Sequence, residues 1–160
     1  MKIEYFHASV YGNGAMVAEE FKNQMAKKGM EVVVHHIDDV DPKTPSPANL
    51  YVFSSPGRFG KPIKDMRRFL EKVSLPAGTK YAILTTEPAP KPDKKTGKTP
   101  TEEEIGSYQH VISIMNDILG AKGLSKVAET KVYVVALKGP LEAGWQKKVE
   151  SFVSVILGSS

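Results

Sequence analysis

The chain has 160 residues, 41% of them hydrophobic and 25% charged, and carries a net charge of +4. That length suits one domain spanning residues 1–160, able to bury roughly 68–70% of its unfolded surface. Cysteine is absent, which excludes disulfides, thiol catalysis and iron–sulfur clusters held by thiolates.

The N-terminal apolar run is too short for a secretion signal, and no run approaches membrane-spanning length. A cytoplasmic chain without membrane or nucleic-acid partners is therefore expected. Five apolar, β-rich segments alternate with amphipathic helical ones. Residues 3–6 read as the first strand, and Val17, Phe21 and Met25 then recur every four residues up to a stop at Gly29. Residues 32–34 with Ile37 give a second strand, followed by a connector with prolines at 42, 45 and 47. "LYVFSS" and "YAILTT" are continuous apolar runs, as strands buried on both faces require. Between them Ile63, Met66, Phe69, Leu70 and Val73 mark a second helix. Thr101 and Glu104 form a capping box for a third, with a stripe of Ile105, Tyr108, Ile112, Met115 and Leu119. "VYVVAL" (132–137) reads as the fifth strand, and Gly139–Pro140 opens the last helix, anchored by Trp145.

This alternation implies an α/β, doubly wound, three-layer domain with a five-stranded parallel sheet, for which the strand order 2-1-3-4-5 suits the size. In that order the winding reverses between strands one and three, and ligands bind beyond the carboxyl ends of strands at such a reversal. The loops there are "HASVYGNG" (7–14) and "SSPGRFG" (54–60). The helix after the first loop offers amide donors without intrahelical partners, the usual seat of a phosphate. Gly12 and Gly14 allow close backbone approach, while Ser9 and Asn13 add side-chain hydrogen bonds. A tight strand-to-helix turn with no ligand would have the same glycines. A nucleoside-triphosphate loop fits worse, because it needs Gly-Lys-Ser/Thr and residues 7–14 contain no lysine. The dinucleotide fingerprint finds Val17 where its third glycine belongs, although Asp38 or Asp39 could serve as its ribose-binding acid. A phospho-receiver reading fails, since Ser54 and Ser55 stand where an aspartate is needed.

"S-V-Y-G-N-G-x-x-x-A" together with "S-P-G-R-F-G-K-P-I-K-D-M-R-R-F-L" resembles the flavodoxin-like superfamily of FMN-binding proteins. The second motif is similar to that of NAD(P)H:quinone reductases related to the tryptophan-repressor-binding protein, which carry Pro-Thr-Arg-Phe-Gly before a Met-Arg-x-Phe-Leu helix. The resemblance implies that Ser9, Val10, Tyr11, Gly12, Asn13 and Gly14 enclose the FMN phosphate, with Ala15 opening the helix. It also implies that Pro56, Gly57, Arg58, Phe59 and Gly60 border the flavin ring. Thr85, Thr86 and Glu87 would form the third flavin loop. No catalytic residue and no metal ligand is implied. The expected function is FMN-dependent electron transfer. An NAD(P)H-dependent quinone or flavin reductase and a flavin-free protein-binding domain are the alternatives.

Three departures from the family bear on function. Gly57 replaces a threonine, and could either reverse its peptide to serve a half-reduced flavin or sit in a static Pro-Gly type II turn. The chain is basic where flavodoxins are acidic, which would suit an acidic redox partner, such as a ferredoxin or a reductase, met by a monomer or dimer. The loop 87–100 carries Lys91, Lys94, Lys95 and Lys98 and is expected to be mobile beside the flavin edge, as a docking arm or a plain insertion. His7, His35 and His36 read as capping or solvent-facing groups, His110 as surface, and Met16, Met25, Met66 and Met115 as core filler.

Overall fold

The computed structural model describes residues 1–158. Its sheet contains β1 (Lys2–His7), β2 (Glu31–His36), β3 (Leu50–Arg58), β4 (Lys61–Pro62), β5 (Lys80–Pro88) and β6 (Ser125–Val134). The order is β2-β1-β3-β5-β6, with all four pairings parallel, and the two-residue β4 folds back antiparallel on β3. The five long strands thus take the order expected from the sequence. The helices are α1 (Asn13–Ala26), α2 (Lys64–Lys72), α3 (Glu102–Gly106), α4 (Val111–Gly120) and α5 (Trp145–Gly158).

Strand alternation splits the core into two layers. Ile3, Tyr5, Val52 and Leu84 meet Val17 and Phe21 of α1 and Val149 and Phe152 of α5 on one face. Phe6, Phe53 and Ile83 meet Met66 and Phe69 of α2 and Met115 and Leu119 of α4 on the other. Each fully buried side chain of this size contributes about 1.5–3 kcal/mol, so these two stripes carry the doubly wound arrangement.

Several boundaries differ from the sequence reading. β2 ends at His36, and Ile37 opens a short 3-10 turn whose Asp38 N–H donates to His36 Nδ1 at 3.1 Å. β6 begins seven residues before Val132 and leaves the sheet after Val134, because it is an edge strand whose Lys126, Glu129 and Lys131 mask the apolar alternation. The third helix is two helices. His110 N–H donates to the Gly60 carbonyl at 2.8 Å, which breaks the helical ladder, and Tyr108 is left exposed instead of buried. α5 starts at Trp145, not at Gly139–Pro140, whose peptide is cis. Met16 is exposed on α1, whereas Met25, Met66 and Met115 are core.

Candidate functional site

β1 delivers the chain to the first loop, which is shaped by side chains reaching its backbone. Ala8 N–H donates to the Ser54 carbonyl at 3.2 Å, tying the loop to β3. Ser9 N–H donates to His7 Nδ1 at 3.2 Å, and Gly12 N–H donates to Ser9 Oγ at 3.0 Å. Gly12, at φ 95°, turns the chain into α1, where Met16 N–H makes the first intrahelical bond to its carbonyl at 3.0 Å. No side chain caps α1 and no acid occupies its first turn. Its leading amides are therefore free for an anion, with the helix dipole in support. Gly14 is needed for space instead, since a Cβ there would press on Ser9 Cβ at 3.2 Å.

The second loop is a hairpin. Arg58 pairs with Lys61 across a two-residue turn in which Phe59 (φ 54°) and Gly60 (φ 75°) both take positive φ, the type I′ pattern. The sequence hides this turn, because phenylalanine stands where Asn or Gly normally does. A type II turn at Pro56–Gly57 is not formed. Gly57 lies in extended β3, without positive φ, and a Cβ on it would meet Val111 Cγ2 at 2.8 Å and Glu87 Cγ at 3.2 Å. Gly60 is packed under the Tyr108 carbonyl, with which a Cβ would collide.

Between these loops lies a cleft of about 380 Å³, in the size range of small-molecule and cofactor sites. The first loop lines it with Ser9, Val10, Tyr11, Asn13 and Gly14. The hairpin supplies Pro56, Gly57, Arg58 and Phe59, and β5 supplies Thr86. Gly12, Ala15, Gly60, Thr85 and Glu87 do not line it. Gly12 and Gly60 shape the turns behind it, and Ala15 lies on the first turn of α1. Alternation along β5 sends Thr85 and Glu87 to the α2–α4 face, where Thr85 Oγ1 donates to Glu87 Oε2 at 2.5 Å. Burial raises the Glu87 carboxyl above its usual range, against the Thr85 bond and the Lys131 charge, while Glu102 adds to the rise.

The remaining wall is not legible residue by residue in the sequence. It consists of Pro88, Ala89 and Lys91 after β5 and Val134, Val135, Ala136 and Leu137 at the end of β6. A signal for it exists: in a parallel sheet the last strand opens on the same rim as the first. Gly139 packs against the Asn13 amide, so this final segment also touches the first loop. Five large exposed apolar side chains line the cleft, namely Val10, Tyr11, Val135, Leu137 and Phe59, the last 94% exposed. Its charged lining residues, Arg58 and Lys91, are both cationic. The basic loop itself turns on Asp93, whose carboxylate accepts from the Lys95 and Thr96 amides at 2.7 and 3.0 Å. His7 is buried rather than solvent-facing, and His110 is exposed at the start of α4.

No protein-family model matches the sequence, and no curated protein matches it. Solved structures do match in architecture. Flavodoxin 2 from Bacillus cereus aligns over all of both chains at 18% identity with a TM-score of 0.74. A flavodoxin from the domain Archaea aligns over 99% of each chain at 16% identity with a TM-score of 0.68. The rubredoxin oxygen:oxidoreductase of Desulfovibrio gigas matches 97% of this chain at 11% identity with a TM-score of 0.68, and there the chain spans only 35% of the other's length. The fold is flavodoxin-like. No helix among the described residues is long and apolar enough to cross a membrane.

Proposed function

We propose that this protein binds FMN in the cleft and carries electrons between partner proteins. One observation carries the reading: the carboxyl ends of β1, β3, β5 and β6 converge on a single cleft with the uncapped start of α1 in its wall. The residues fit the cofactor's two unlike halves. The leading amides of α1, with Ser9 and Asn13, suit a phosphate, and Tyr11, Phe59, Val135 and Leu137 offer apolar surface to a flat ring. FMN bound there supplies the one- or two-electron chemistry, and the chain supplies its position and surroundings.

The rim supports an acidic partner. Arg58, Lys61, Lys91, Lys94, Lys95, Lys98 and Lys138 are all exposed on the hairpin, the basic loop and the segment after β6. With the exposed Phe59 and Leu137 among them, they make an apolar centre with a cationic margin, which favours fast encounter with a negatively charged protein. The test titrates flavin-free protein with FMN and with riboflavin. FMN is expected to bind at least about tenfold more tightly, because only it engages the α1 amides through charge-assisted bonds. Colourless protein that takes up neither compound would overturn the reading, and steady NAD(P)H oxidation with a quinone would replace the carrier by a reductase.

A further inference from the structure

Ser9 is held on both sides of its backbone by histidines from adjacent strands. Its N–H donates to His7 Nδ1 at 3.2 Å, and its carbonyl accepts from His36 Nε2 at 3.1 Å. His7 and His36 are register partners on β1 and β2, with ring centroids 5.1 Å apart in an edge-on contact. The partners dictate the protonation. An amide N–H can only donate and a carbonyl can only accept, so His7 Nδ1 is bare and His36 Nε2 carries a proton. His36 Nδ1 is also bare, since it accepts from Asp38 N–H at 3.1 Å. The His7 imidazole is therefore neutral in this arrangement.

We propose that His7 and His36 are positioning residues that clamp Ser9 in its ligand-binding shape, and that protonation of His7 opens the clamp and weakens the loop's hold on a phosphate-bearing ligand. The mechanism is electrostatic and local. A proton on His7 Nδ1 would set two N–H groups against each other, and Ser9 would have to turn away. Ser9 Oγ holds the Gly12 amide, and Ser9 Cβ packs on Gly14, so the disturbance reaches both glycines at the start of α1.

The charged surroundings set the direction. Burial lowers the pKa of His7 below its ordinary 6.5, with the neighbouring His36 acting in the same direction, while Asp39 in the turn after β2 pulls the other way. Asp38 faces His36, with Oδ2 3.5 Å from Nδ1. The folded state thus holds the His7 proton less tightly than the unfolded chain. Stability from this group is complete above about pH 6.5 and is lost as pH falls through the lowered value. The other strand pair, His35 with Glu4 at 2.8 Å, lies on the opposite face of the sheet beside Phe6 and does not touch the loop.

The inference rests on the phosphate-site reading, and the experiment separates the two. FMN affinity is measured from pH 7.5 to pH 5 for the wild type and for His7→Asn, whose side-chain oxygen still accepts from Ser9 but does not titrate. Protonation of the FMN phosphate affects both proteins alike. The wild type is expected to lose about tenfold more affinity than the variant over that range, the worth of one strong hydrogen bond, and a ratio that stays flat overturns the proposal. In parallel, the Ser9 amide of ligand-free wild type is followed by NMR, which needs neither a variant nor a ligand. A Ser9 signal that moves with the His7 ring supports the clamp, and one that stays still through that titration overturns it. If neither protein binds FMN at pH 7.5, the cofactor reading fails, and the Ser9 signal still decides the clamp by the same criterion.

Discussion

The first loop and the β3–β4 hairpin face each other across the cleft, yet they keep their shapes by different means. The loop is strung on side-chain bonds, with His7 and His36 on the Ser9 backbone and Ser9 Oγ on Gly12. The hairpin is built from backbone pairing and from glycines wedged against neighbouring elements, Gly57 on Val111 and Gly60 beneath Tyr108. Side-chain bonds respond to pH and ligand, whereas close packing responds to volume. The wall built by the first loop is adjustable, and the wall built by the hairpin is stiff.

The sharpest way to break this contrast is to add one methyl group on each side. Gly60 and Gly12 both have positive φ, so alanine is strained at either, by about 1–2 kcal/mol. At Gly60 the methyl also strikes a backbone carbonyl, while at Gly12 nothing lies within 4 Å. Gly60→Ala is expected to lose roughly 3–5 kcal/mol in denaturant unfolding, and Gly12→Ala only the strain. Equal losses would mean that the hairpin is no stiffer than the loop.

The division also explains what the sequence can disclose. Central strands are buried on both faces, so "LYVFSS" and "YAILTT" stand out as unbroken apolar runs, and the strand order and the position of the cleft follow. The features it hides depend on contacts distant in sequence. Nothing in Tyr108, Gln109 and His110 stops a helix; the break comes from Gly60, some fifty residues earlier, taking the His110 amide. The apolar pattern marks β6 seven residues late, because an edge strand displays charge on its open side. Adjacency groups Thr85 and Glu87 with Thr86, although the pleat sends them to the other face.

A second variant tests the hairpin from within. Phe59 is held in the left-handed region while 94% exposed, so it gives up backbone energy without gaining burial. Phe59→Gly removes that strain and regains some unfolded-state freedom, leaving a net gain under about 1 kcal/mol and a Tm rise of about 1–3 °C. The same variant is expected to bind FMN less tightly. Tighter binding would show that the strained ring obstructs the cleft instead of serving it.

The finest distinction is in the sign of the pH response on the two sides. Acid undoes the first loop, because His7 is harder to protonate when folded. Beneath the hairpin the order reverses. Glu87, buried against Gly57, holds its proton more tightly when folded than the ordinary 4.5 allows, chiefly through desolvation. Its stabilising contribution is present below about pH 4.5 and fades as pH rises through the raised value. Glu87→Gln keeps the shape and an acceptor for Thr85 but cannot ionise, so it removes that fading. Thermal unfolding of both proteins from pH 4 to pH 8 should show the variant gaining on the wild type as pH rises. A difference that does not change with pH would mean that Glu87 ionises as readily in the fold as out of it, and that solvent reaches the hairpin's underside.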